Sequence, residues 1–176
     1  MQTDVKEAFA IPRFTGERFD AHTLPVDVAR DLAAYEELIM DLAKHLYLQV
    51  NPKRKRVPRG FSDNFRLDIE KIEKGSTKPH LVAMAVAGGL FGYPDEAHGY
   101  YEQARDLVAE CVAASANALP ERFPKELLSH FNQLGRSLRE GEAMELPRRH
   151  RQDGAVLTPT KRKELLLAAE KTYEKE

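Results

Sequence analysis

A chain of 176 residues has the length of one domain, and 42% apolar residues are enough to give it a core. The formal net charge is −1, so the molecule as a whole is drawn neither to nucleic acid nor to a membrane, and either role has to rest on a local patch. A single cysteine, Cys111, excludes an intrachain disulfide and a cysteine-rich zinc site and fits a cytoplasmic setting.

Residues 1–10 carry Asp4, Lys6 and Glu7 and lack the apolar centre of a signal peptide. The stretch ERFDAHTL, 17–24, reads as a strand with Phe19, Ala21 and Thr23 on one side. From Pro25 to Asn51 the chain predicts a long helix. Val28, Leu32, Tyr35, Ile39, Leu42 and Leu46 recur at helical steps and line one face. Pro25 suits a first turn, Asp27 complements the helix dipole, and Asn51-Pro52 stops the helix.

The next stretch, PKRKRVPRG, has five basic residues and no acid. It reads as a loop, most simply as a solvated connection. As a site, its Lys53, Arg54, Lys55, Arg56 and Arg59 would bind phosphates by releasing counterions. The region 65–72 shows both periods. Phe65, Leu67 and Ile69 alternate as in a strand, whereas Phe65, Ile69 and Ile72 fit a helix. The turn signal Gly75-Ser76 favours a hairpin with strands near Phe65–Ile72 and Lys78–Met84. The glycine-rich run to Tyr93 reads as a buried crossing. It is shorter than the ~20 apolar residues of a spanning helix.

A second long helix is predicted over Pro94–Leu119, with Ala97, Tyr101, Ala104, Val108, Cys111, Ser115 and Ala118 on its stripe. Two matched stripes imply antiparallel packing of the two helices, or a dimer seam. A shorter helix follows from about Pro124 to Leu134, with Leu127, Phe131 and Leu134 inward and Gly135 closing it. Glu140-Gly141 suggests a small hairpin within 138–146, and Asp153-Gly154 a turn. Arg148, Arg149 and Arg151 form a second basic cluster around His150. A last helix opens at Thr158-Pro159, with Thr158 as N-cap and Leu165 to Ala169 as its apolar centre.

Motifs that carry chemistry are few. Asp95-Glu96-Ala97-His98 spells the tetrapeptide of helicase motors, but no phosphate loop accompanies it, so it reads as the acidic first turn of a helix. No two of the six histidines stand three or four residues apart, which leaves no helical metal pair. Cys111 lies on an apolar stripe and reads as core. Glu36, Glu37 and Asp41 cluster along one helix, where a solvated face is commoner than acid–base work. No catalytic residue, metal or cofactor is therefore expected.

The segments LPVDVARDLAAYEELIMDLAKHLY, NPKRKRVPRGF and FRLDIEKIEKGS together resemble the N-terminal region of a family of bacterial proteins without an assigned activity. In that family a segment like LTPTKRKELLLAAEKTYEKE leads into a further β-rich region. The resemblance implies a bacterial, cytosolic setting and brings no catalytic signature.

The expected fold is α+β and mainly helical, with two long antiparallel helices, a small antiparallel sheet and two shorter helices. Residues 1–157 form a single domain, and 158–176 a C-terminal helix that packs on it or leads to a further region. The expected function is a non-enzymatic protein-interaction or regulatory module of a bacterial complex, in a defence or toxin–antitoxin setting, with a protein partner or a second copy and no membrane. The alternative is a nucleic-acid-binding protein using the clusters at 53–59 and 148–151.

Overall fold

The computed structural model describes residues 8–62, 65–74, 76–85, 95–148 and 151–174, with backbone alone for 84–85, 95–96, 98 and 151–154. The architecture is α+β. In chain order come β1 (Arg13–Thr15), a 3-10 helix (Glu17–Phe19), α1 (Val28–Val50), β2 (Phe65–Glu73), β3 (Lys78–Ala85) and α2 (Asp95–Ala113). A second 3-10 helix (Lys125–Asn132), β4 (Ala143–Arg148), β5 (Arg151–Leu157) and α3 (Pro159–Tyr173) complete the chain. Two antiparallel sheets result, ordered β1-β4-β5 and β2-β3.

One short segment joins the sheets. On one side β1 pairs with β4, with Phe14 opposite Met144. On the other, Phe14 exchanges both backbone hydrogen bonds with Thr77, at 2.8 and 3.1 Å. Four residues earlier Ala10 bridges Leu81 in the same sense. Phe14 is fully buried because strands cover it from both edges. Thr77, also fully buried, spends its hydroxyl on the carbonyls of Thr23 and Phe19. This explains why 17–24 is not the expected strand. Its carbonyls accept from the Thr77 hydroxyl, and Phe19 closes a 3-10 turn onto Gly16. Gly16 must be glycine twice over. Its φ is +129°, and a Cβ there would stand 2.9 Å from Glu142 Cγ.

In α1 every residue of the predicted stripe is buried, and so are Asp31, Ala34, Leu38 and Ala43. The buried arc is wide because α1 is covered on two sides, by α2 and by the second 3-10 helix. The helix proper starts at Val28. Pro25 to Asp27 form the turn before it, with Val28 N–H donating to Pro25 O at 3.0 Å.

The conflicting periods in β2 come from a bulge. Ile69 faces Leu81 and Lys71 faces His80, so Glu70 has no partner in β3. The extra residue returns Ile72 to the side of Phe65, Leu67 and Ile69, and puts Arg66, Asp68, Lys71 and Glu73 on the other. An i to i+3 spacing that imitates a helix is thus a strand with one residue inserted.

α2 ends at Ala113, not Leu119, and Ser115 and Ala118 are exposed. Ala118 N–H donates to Ser115 O at 2.9 Å, forming a turn, and Pro120 excludes helix at the residue before it. The next helix is 3-10 rather than α. At three residues per turn it aligns Leu128 and Phe131, both fully buried, as is Leu134 just past its end, and leaves Leu127 only half-buried.

Glu140-Gly141 makes a turn ahead of β4, and the hairpin lies further on, between β4 and β5. Asp153-Gly154 falls inside β5. Leu146 pairs with Ala155 and Arg148 with Arg151, so residues 152–154 stand against Pro147 alone. Proline has no N–H for the ladder, and a bulge accommodates it. The expected crossing at 83–93 lies outside the described residues beyond Ala85.

α3 begins as expected, with Thr158 Oγ1 accepting from Lys161 N–H at 3.1 Å. Its first turn then closes two other helices. Lys161 Nζ donates to Ala114 O just past the end of α2. Arg162 donates to Phe131 O at 2.7 Å and Asn132 O at 2.9 Å, at the end of the 3-10 helix.

A clamp holds the entry of α1 to the turn before β4. Arg18 donates to both Asp27 oxygens at 2.8 and 2.9 Å, to both Glu142 oxygens at 2.9 and 3.0 Å, and to Ser137 O at 3.2 Å. The Glu142 side chain is only 6% exposed. Arg18→Ala leaves that carboxylate buried without its cation and is expected to cost about 3 kcal/mol in urea unfolding. Arg18→Lys, which cannot form the two-pronged contact, should recover only part of the loss.

Candidate functional site

The basic loop is held at both ends and open between them. At its start, Asn51 Nδ2 donates to Tyr47 O at 2.9 Å, and Arg54 N–H to Asn51 O at 2.9 Å. At its end, Phe61 N–H donates to Pro58 O at 3.0 Å, and Tyr101 hydroxyl to Phe61 O at 2.6 Å. Phe61 is buried among Tyr47, Tyr100 and Tyr101, with ring centroids 5.5 to 6.3 Å away. Val57 packs against the core. The aromatic cluster therefore supports the loop from below, while Lys53, Arg54, Lys55, Arg56 and Arg59 are all exposed. The first four have no ion pair or side-chain hydrogen bond among the described residues.

The second cluster is described in part. Arg148 is half-buried, and its Nε has no partner among the described residues. Arg151 stands opposite it in the hairpin register. Arg149 lies outside the described residues.

Other polar groups singled out in the sequence serve the fold. Glu36 Oε2 accepts from Leu67 N–H at 2.8 Å, which covers part of the outer edge of β2. Asp41 pairs with His130 at 2.9 Å and ties α1 to the 3-10 helix. The neighbours Glu36 and Asp41 thus work on different elements rather than as an acid–base pair. His80 pairs with Glu73 at 2.6 Å, and His22 contacts Ser76 O at 3.2 Å. Among the described residues, no group of three or more His, Cys, Asp or Glu could hold a metal ion. No helix of theirs is long and apolar enough to cross a membrane.

Asp31 was not marked by any sequence signal. It lies within the buried face of α1, 1% exposed, and accepts from the Ser137 hydroxyl and backbone N–H. Burial raises its carboxyl above the ordinary range, and the hydrogen bonds from Ser137 and Gly135 oppose that shift. Cys111 is fully buried, and burial pushes its thiol up to about 12.

Comparison with family models, with curated proteins and with solved structures finds no match.

Two outcomes follow from these buried groups. Because Asp31 has a raised folded value, protonation favours the fold. Its contribution is largest below the ordinary aspartate value of about 3.9 and falls as pH rises through the raised one. Urea midpoints taken from pH 4 to 8 should therefore lose part of their pH dependence in Asp31→Asn. The Cys111 thiol should resist an aromatic disulfide reagent at pH 8 in the native protein and react as one equivalent in urea.

Proposed function

We propose that this protein acts by binding, as a non-enzymatic interaction or regulatory module of a bacterial complex, and that the loop 51–60 is its contact surface. The observation that carries this reading is the state of Lys53, Arg54, Lys55 and Arg56. All four are exposed and have no ion pair or side-chain hydrogen bond among the described residues, on a loop whose start is tied to the Tyr47 carbonyl and whose end is tied to the buried Tyr101 hydroxyl. A chain of net charge −1 with spare acids elsewhere could have neutralised them internally. Fixing the loop before binding also lowers the ordering cost that a partner must offset.

The second reading makes the partner a nucleic acid. Four adjacent cations suit a phosphate backbone, and the opposed Arg148 and Arg151 supply a further basic site.

The test is a variant with Lys53, Arg54, Lys55 and Arg56 all changed to alanine. In pull-downs from the native host, followed by mass measurement of the complex, the wild type should retain a partner that the variant loses. By fluorescence anisotropy with 20-nucleotide single strands and duplexes, the nucleic-acid reading expects the log K against log salt slope to be shallower by about 3 to 4 in the variant than in the wild type. Equal partner recovery and equal oligonucleotide binding by both proteins would remove the loop from both readings.

A further inference from the structure

The outer edge of β2 is covered only near its start. Among the described residues β2 pairs with β3 and with no other strand. The Glu36 carboxylate takes the Leu67 N–H at 2.8 Å. Further along, every residue from Ile69 to Lys74 is exposed, with Ile69 at 44% and Ile72 at 41%.

The register fixes where the backbone points at these positions. In an antiparallel ladder a residue either exchanges both backbone bonds with the residue opposite or turns both groups away from it. Leu67 points its N–H outward, to Glu36, and Ile69, two residues on, points the same way. Ile72 stands opposite Pro79. Proline has no N–H to exchange, so Ile72 also turns its N–H and C=O away from β3. The bulge at Glu70 makes the step from Ile69 to Ile72 equivalent to one pleat. The outward positions are therefore Leu67, Ile69 and Ile72, and Glu36 already holds the first.

An open edge with outward backbone groups and exposed isoleucines is a template for another strand. Lys71 and Glu73 flank Ile72 with opposite charges. A second copy running antiparallel, with a two-fold axis at Ile72, sets Ile72 against Ile72 and Lys71 of each copy against Glu73 of the other. Other axes fit less well. An axis at Ile69 pairs Leu67 with Ile72 and needs the N–H that Glu36 holds. An axis between Ile69 and Ile72 sets Asp68 against Glu73, and like charges in opposed positions repel. Glu73 can serve both His80 and Lys71. His80 Nε2 meets its Oε2 at 2.6 Å, and the side chain is still 53% exposed.

We propose that two copies of this chain join antiparallel through their β2 edges, around a two-fold axis at Ile72. Ile72 exchanges backbone hydrogen bonds with its counterpart, and two Lys71–Glu73 contacts flank that pair. No residue of the loop 51–60 takes part.

The test is the mass of the whole chain by sedimentation equilibrium, from micromolar to millimolar concentration. The wild type should rise from 20.0 kDa toward twice that mass. Amide exchange at Ile72 should slow over the same range. Lys71→Glu and Glu73→Lys each set like charges against one another on both flanks, and each should weaken self-association by at least about tenfold. An equimolar mixture of the two variants restores opposite charges across the axis and should dimerise about as well as the wild type. Recovery in the mixture also shows that both variants are folded. A wild type that stays monomeric throughout overturns the proposal. So do single variants that dimerise like the wild type, or a mixture that associates no better than either variant alone.

Discussion

The segment from Phe9 to Thr15 pairs with two strands at once, and the rest of the molecule is arranged around that pairing. Phe14 exchanges backbone bonds with Thr77 on one edge and stands opposite Met144 on the other. Without this segment, β2–β3 and β4–β5 are each a two-stranded hairpin, which is marginal in water. By lying between β3 and β4, this short stretch joins them, and the joined strands give α1 and α2 something to pack on. Long-range pairing of this kind brings residue 14 to residues 77 and 144, so it forms only when most of the chain is in place.

Charged residues hold the loops to that frame. Arg18 ties the entry of α1 to the turn before β4, Asp31 holds the residues after the 3-10 helix, and Lys161 and Arg162 close the ends of two helices. Each is a long or buried polar group satisfied by side-chain or backbone atoms, most of them far away in sequence. These partners distinguish structural charges from the cations at 53–56, which have none among the described residues. The contrast in pairing, not the number of charges, supports the proposed contact surface.

Much of the helix and strand content was legible from periodicity. The α1 stripe, the positions of the β2–β3 hairpin and the Thr158 cap all appear where spacing and residue type place them. The errors share a cause. At Glu70, and opposite Pro147, an inserted residue breaks the register, so Ile72 looked helical and Asp153-Gly154 looked like a turn. In 125–132 a period of three replaced the expected 3.6, and Leu128 took the inward place given to Leu127. Such bulges and tight helices answer to strands and helices distant in the chain, which local spacing does not contain. The basic loop was plain from composition. Its fastening by Tyr101, and the lack of partners for the cations at 53–56 among the described residues, were not.

By itself the sequence determined where apolar faces run, where helices start, and that this chain carries a dense basic loop within a nearly neutral whole. Those properties depend on neighbours within a few residues, where sterics and period act directly. The tertiary structure alone decided that the entry segment joins two sheets, which charges are neutralised, and that Ile72 turns its backbone away from β3. Each of these depends on which distant atoms come within hydrogen-bond distance, and only the folded chain sets that.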